Sequence, residues 1–253
     1  MKDNLGDRMK GFYERRTKYF LPRRTYTLIR VDGKAFHTFT RGLDRPFDTG
    51  FISDMDNTAI YLCKNIQGAK MGYVQSDEIS ILLTDFDNLN TDAWFDGNIQ
   101  KMASVSASLA TSEFNKLRMM RYLRGKYEAG ITNQTERGLE LFNEQRTAQF
   151  DSRVFTIPSR VEVENYFIWR QKDAVRNSIS SVAQSLYSHK ELHGKNTDEM
   201  QELIFQKGTN WNDFSDREKR GGVIGYVDGK WSVVQTPIFT QEREFFNDFI
   251  PVL

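Results

Sequence analysis

Cysteine is nearly missing from this chain. Cys63 is the only one among 253 residues, so no disulfide can close within it, and a reducing, cytoplasmic setting is the simple expectation. No apolar run is long enough to cross a bilayer, which predicts no membrane partner. The opening stretch, MKDNLGDRMKGFYERR, is too charged for the hydrophobic region of a signal peptide. There is no internal repeat and no low-complexity segment. An excess of one charge is also lacking: 35 basic against 34 acidic residues leave a formal net charge of +1, so global charge does not announce a nucleic-acid partner. The length suits one large domain or a core with an added lobe.

Local charge is more informative. Arg15, Arg16, Lys18, Arg23 and Arg24 cluster early, and Lys116, Arg118, Arg121, Arg124 and Lys126 form a second basic stretch interleaved with Tyr122 and Tyr127. Each reads either as a solvated helix face or as a phosphate-contacting surface.

The pattern along the chain predicts an α+β fold. A helix over NLGDRMKGFYERRTKYF is stopped by Pro22. Thr25 to Asp32 is rich in β-branched and aromatic residues and reads as a strand. Asp48 or Thr49 caps a helix running to about Asn65, and AKMGYVQ and EISILLTD form a hairpin around Ser76-Asp77. A second helix begins near Asn98, and Ser152 to Pro158 reads as a further strand. With a helical insertion set aside near residues 116–150, the order is strand, helix, strand, strand, helix, strand. That is the split βαβ, ferredoxin-like order: an antiparallel sheet with helices on one face and the first and third strands at its centre.

Residues 1–158 are thus expected to form a palm-like core. Residues 159–253 form a mostly helical and hairpin extension packed with that core as one unit. A long helix spans VEVENYFIWRQKDAVRNSISSVAQSLYS, with Val163, Phe167, Trp169 and Val182 among its apolar positions. Asn196 or Thr197 starts another helix, and Asp228-Gly229 marks a hairpin turn. The last fifteen residues are acidic and aromatic, without an evident role.

The predicted topology brings Asp32, at the end of the first strand, close to Asp77 and Glu78, at the start of the third. Clustered carboxylates need compensation, which Lys or Arg can supply as salt bridges and a divalent cation can supply as a metal centre. Gly33 lets backbone approach a ligand closely, and Lys34 offers a point charge suited to phosphate. His37 reads equally as a packed histidine between Phe36 and Phe39 or as a nucleotide contact. His189 and His193 lie four apart in HKELH, yet no third zinc ligand is evident, so a solvated helix end is the better reading. Cys63 reads as a small core residue.

The segments RVDGKAFHTF, GYVQSDEISILL, FDSRVFTIPS, NYFIWRQKDAVRNS and KGTNWN together resemble the histidine tRNA guanylyltransferase superfamily, the 3′-to-5′ polymerases, over most of the chain. The resemblance implies a polymerase-like palm. It implies two Mg²⁺ ions held by Asp32, Asp77 and the backbone carbonyl of Gly33, with Glu78 matching an acid important for activity. It implies nucleotide contacts from Lys34, Ala35, Phe36, His37, Ser76 and Lys101, and nucleotide or RNA contacts from Arg153, Arg170, Asp173, Asn177 and Lys207. It also implies tRNA as partner, GTP and ATP as substrates, and a homotetramer.

One element departs from that pattern. The eukaryotic enzymes carry His-Ile-Asn-Asn after the Trp-Arg-Gln-x-Asp segment, whereas this chain has Val175, Arg176, Asn177 and Ser178. The expectation is therefore template-dependent repair of 5′-truncated tRNA, rather than dedicated guanosine addition to histidine tRNA. A nucleotide cyclase on the same palm, and a non-catalytic RNA-binding protein, are the other readings.

Overall fold

The computed structural model describes residues 4–128 and 146–252. The middle of the expected insertion, residues 129–145, and the side chain of Lys126 lie outside the described part.

Six antiparallel strands form one sheet: β1 (Tyr26–Gly33), β2 (Ala69–Gln75), β3 (Glu78–Leu83), β4 (Phe150–Ile157), β5 (Gly222–Val227) and β6 (Lys230–Val234), in the order β4-β1-β3-β2-β5-β6. The first four strands keep the ferredoxin-like order, and the C-terminal hairpin extends the same sheet by pairing β5 with β2. Its turn is Asp228-Gly229, both at positive φ, 52° and 77°, as a tight two-residue hairpin demands.

The helices are α1 (Asn4–Phe12), the single turn α2 (Phe36–Phe39), α3 (Thr49–Asn65), α4 (Ile99–Glu128), α5 (Arg160–Leu186), α6 (His189–Leu192), α7 (Thr197–Gln206) and α8 (Asp216–Arg220). Side-chain caps set several starts. Asp48 accepts from the Phe51 amide at 2.6 Å, and Asn196 accepts from the amides of Asp198 and Glu199 at 3.0 Å. The first helix is shorter than its sequence pattern: it ends at Phe12, a 3₁₀ turn follows over Glu14–Thr17, and α1 buries no residue. The α4 helix continues without a break through the basic stretch to Glu128, into the region expected as an insertion.

Helices cover both faces of the sheet, not one. Ile29, Val31, Val74, Ile79 and Ile81 pack on one side with Met55, Ala59 and Leu62 of α3 and Phe114 of α4. On the other side Tyr26, Leu28, Met71, Tyr73 and Leu82 pack with Val163 and Phe167 of α5 and with Phe239, Phe246 and Ile250 of the tail. The aromatic tail therefore closes the second face, and Pro251 accepts a hydrogen bond from the Tyr26 hydroxyl at 2.8 Å. A third small core gathers Ile179, Val182, Leu192, Ile204 and Trp211 around the far end of α5.

The early basic stretch and the α4 stretch are largely engaged internally. Arg23 binds Asp85 at 2.7 Å and Asp96 at 3.1 Å. Arg118 and Arg121 converge on Asp54, which is 1% exposed, and so bolt α4 to α3. Cys63 is a buried core residue.

Candidate active site at the acidic end of the sheet

Sheet register brings the acids together. Asp32 pairs with Glu78 across β1 and β3, and with Asp151 across β1 and β4, which places each pair on one face with Cβ atoms about 5 Å apart. Asp77 occupies the two-residue turn between β2 and β3, where Ser76 adopts φ 47°. The Gly33 amide donates to the Asp77 carbonyl at 3.1 Å, lacing the end of β1 to that turn. Burial pushes the Asp77 carboxyl above the ordinary aspartate range. The Ser76 hydroxyl (2.9 Å) and a backbone bond draw it back, and the Asp32 charge adds to the rise. Among the described residues, no Lys or Arg lies within salt-bridge distance of Asp32 or Asp77.

Glu78 is different. Arg170 of α5 donates from Nε to Oε1 at 2.8 Å and from Nη2 to Oε2 at 2.7 Å, with both residues buried. Arg30 adds a third contact at 3.9 Å. Burial raises the Glu78 carboxyl, Arg170 and Arg30 oppose the rise, and Asp32 reinforces it. The two-pronged arginine contact is the geometry of a carboxylate. This acid is thus compensated inside the protein, whereas Asp32 and Asp77 are not.

The loop after Asp32 is fixed by packing. A Cβ on Gly33 would stand 2.3 Å from the Phe36 ring, and that ring is held by Phe39, Phe51, Phe114 and Phe150. Lys34 is exposed, its amide bonded to the Gln149 carbonyl at 2.8 Å, and Ala35 takes a left-handed conformation at φ 55°. Phe36 faces the core, so of the four loop residues it is an anchor rather than a surface.

Next to the turn lies a cavity of about 340 Å³ between the loop after α2, α5 and α8. His37, Ser76 and Asn177 all line it, together with Gln75, Gln184 and Arg217, which the sequence patterns do not single out. Arg217 is held in place by Asp56, 161 positions away, through Nε at 3.0 Å and Nη2 at 2.6 Å. Gln75 is 3% exposed, and its Oε1 has no partner among the described residues.

Several expected contacts do not converge here. Lys101 sits one turn into α4 beside Asn98, at the sheet end where Thr27 meets Leu83, with its ammonium 5.8 Å from the Phe95 ring. The helix reaches the acidic end from Ser106, whose hydroxyl donates to that of Ser152 at 2.7 Å, to Thr111, which accepts from the Phe150 amide, about 8 to 15 Å further along. Arg170 is engaged by Glu78, and Asp173 by Arg170 and Arg176. Lys207 ends α7 against the Tyr187 ring at 5.2 Å, about 25 Å along α5 from Arg170. Arg153 is exposed on β4, on the same sheet face as Asp32. Trp169, one of the apolar positions of the long helix, is 51% exposed.

The donors fit a hard cation. Two uncompensated carboxylates and the adjoining Gly33 backbone offer oxygens only, which suits Mg²⁺ with the remaining positions left to water and phosphate. Among the described residues no group of three His, Cys, Asp or Glu is arranged around one metal position.

Comparison with known proteins agrees with this architecture. The family model for tRNAHis guanylyltransferase (Thg1) matches residues 6–158. A bacterial tRNA(His) guanylyltransferase (Thg1)-like protein in complex with ATP shares 43% identity at a TM-score of 0.85, over 98% of this chain and 100% of that one. A bacterial Thg1-like protein in complex with GTP shares 40% identity at a TM-score of 0.75, over 96% and 97% of the two chains. The tRNA(His) guanylyltransferase of Debaryomyces hansenii is 28% identical over 222 residues, 83% of this chain and 76% of that protein. The chain belongs to the tRNAHis guanylyltransferase family and is a nucleotidyltransferase of that family.

Proposed function

We propose that this chain adds nucleotides in the 3′-to-5′ direction to the 5′ end of tRNA, repairing 5′-truncated molecules by template-directed addition. The observation that carries this reading is the pair Asp32 and Asp77, laced together at adjoining strand ends beside a cavity, with no Lys or Arg partner among the described residues. ATP activates the 5′-monophosphate, releasing pyrophosphate. The 3′-hydroxyl of the incoming nucleotide then attacks the activated phosphorus and displaces AMP.

Asp32, Asp77 and the Gly33 carbonyl would hold Mg²⁺, which supplies neutralisation of phosphate charge and acidification of a bound hydroxyl. The chain itself supplies the rest. The β1–β3 register fixes the spacing of the acids, and the phenylalanine cluster fixes the loop that carries Gly33 and Lys34. Lys34 stands exposed on that loop to meet a triphosphate. His37, Ser76 and Asn177 line the cavity that takes the nucleoside. The ATP and GTP complexes of the bacterial Thg1-like proteins support that ligand class.

Repair rather than guanosine addition is favoured by Val175, Arg176, Asn177 and Ser178 at the place of His-Ile-Asn-Asn. Base pairing with the opposite strand would then choose the nucleotide. Assembly as a homotetramer is part of the proposal, supported by Leu5, Met9 and Phe12 of α1, which the single chain leaves exposed. The test is a labelled tRNA lacking its first nucleotide, incubated with each nucleoside triphosphate in turn. Addition that tracks the opposing base supports repair. Addition of G whatever the opposing base, or none at all, counts against it.

A further inference from the structure

Trp169 is the unexpected residue near the acidic end. A single exposed tryptophan is ordinary; this one is set apart by its place beside the acidic end and by the groups that hold it. Arg170 covers one face of the indole, with its Cζ 4.5 Å from the ring centroid, and the same guanidinium grips Glu78 at 2.7 Å. The ring is thus one guanidinium removed from the carboxylate that pairs in register with Asp32. Tyr166 meets it at 68° and 5.8 Å, which fixes its orientation. What remains of the indole is open, 51% exposed.

Basic side chains flank this ring, Arg176 paired with Asp173 and Arg153 3.9 Å from Asp151. Lys172 and Arg176 are exposed on α5, three and seven positions beyond Trp169, and that spacing sets all three in one stripe about 10 Å long. Arg153, with its side chain 55% exposed, lies on β4 one step closer to the acidic end than the contact between Phe155 and Tyr166. Trp169 lies one helical turn beyond Tyr166 in the same direction. A rigid aromatic ring flanked by basic residues is the surface that holds a nucleobase by stacking and its phosphates by charge.

We infer that Trp169 is a stacking platform for the terminal base of the RNA strand being extended, with Lys172, Arg176 and Arg153 on its phosphates. This rests on the RNA-end reading above and adds to it a positioning residue for the RNA, separate from the nucleotide cavity. Trp169 does not line that cavity, so stacking on it serves the RNA and leaves the incoming triphosphate untouched.

The test compares the full chain with Trp169→Ala and Trp169→Tyr, using tRNA that lacks its first nucleotide and carries 2-aminopurine at the new 5′ end. Stacking predicts that the KM for RNA rises about tenfold in the alanine variant, that the KM for ATP is unchanged, and that tyrosine restores most of the loss. Quenching of 2-aminopurine by wild type should vanish with alanine and persist with tyrosine. Alanine at Lys172 and Arg176 together should lower the salt slope of RNA binding by about one for each phosphate no longer neutralised.

An unchanged KM for RNA overturns the platform. So does a loss that tyrosine fails to restore, and so does a change of oligomeric state in Trp169→Ala, which would mean that the ring packs against a second copy. If wild type extends RNA without quenching 2-aminopurine, the platform alone fails. If wild type extends no RNA at all, the RNA-end reading fails and the platform with it.

Discussion

Arg170 and Glu78 form a buried, two-pronged ion pair, 2.8 and 2.7 Å across, at the point where α5 crosses the acidic end of the sheet. Both are shielded from solvent, so removing one partner strands the other in a poorly solvated place. Arg170→Ala should cost about 3–5 kcal/mol of stability, and Arg170→Lys should recover little because lysine lacks the planar fork. Denaturant unfolding with an unchanged m value checks this. A loss of activity without any loss of stability would instead make Arg170 a ligand-contacting group.

The α4 basic stretch gives a contrasting expectation. Arg118 and Arg121 bind Asp54, which is 1% exposed. Asp54→Ala should therefore destabilise the chain by about 3–5 kcal/mol, the cost of breaking a buried pair. Arg118→Ala should lower the melting temperature while leaving the salt dependence of RNA binding unaltered. Thermal melts and a salt titration of RNA affinity measure the two effects.

Gly33→Ala should be poorly tolerated. The new methyl would meet the Phe36 ring at 2.3 Å, and four other rings leave that ring no room. Overpacking of this kind costs about 1–3 kcal/mol, and it displaces the loop that carries Lys34. A melting temperature equal to wild type would show that the loop adapts.

Acid should weaken metal binding early. Burial first, and Asp32 in addition, hold the Asp77 carboxyl above its ordinary value. Protons therefore compete with the cation at a higher pH than for a free aspartate, near 3.9. In the metal-free protein the sign is also set. The contribution of Asp77 to stability is full below the ordinary aspartate pKa and is lost as pH rises through the raised folded value. Asp77→Asn should then stabilise the metal-free chain at neutral pH, with the gain shrinking on acidification. Calorimetric Mg²⁺ titrations and melts across pH test both statements.

Much of the site's frame was readable from local pattern. The run of β-branched residues ending at Asp32, the polar Ser76-Asp77 turn and the caps at Asp48 and Asn196 are short-range signals, and strand order then brings the acids together. Pairings between distant residues were not readable. Nothing near Arg118 or Arg121 in the chain points to Asp54, more than sixty positions away, nor near Arg217 to Asp56. Lys101 shows the same limit in reverse: a helix start suits phosphate, but which end of the sheet it occupies depends on the strand it follows. Trp169 fitted an apolar spacing, yet i, i+3 periodicity does not tell the buried edge of a stripe from its open one. The tail's role depended on an uncovered sheet face, which only the assembled fold reveals.

The most direct measurement is the rate of nucleotide addition to 5′-truncated tRNA by Asp77→Asn, set beside its folding stability. The account predicts a chain that is folded and at least as stable as wild type, with addition slowed by several orders of magnitude, as expected when several kcal/mol of barrier lowering are lost. Addition at the wild-type rate by that folded variant would contradict the assignment of Asp32 and Asp77 as the catalytic pair.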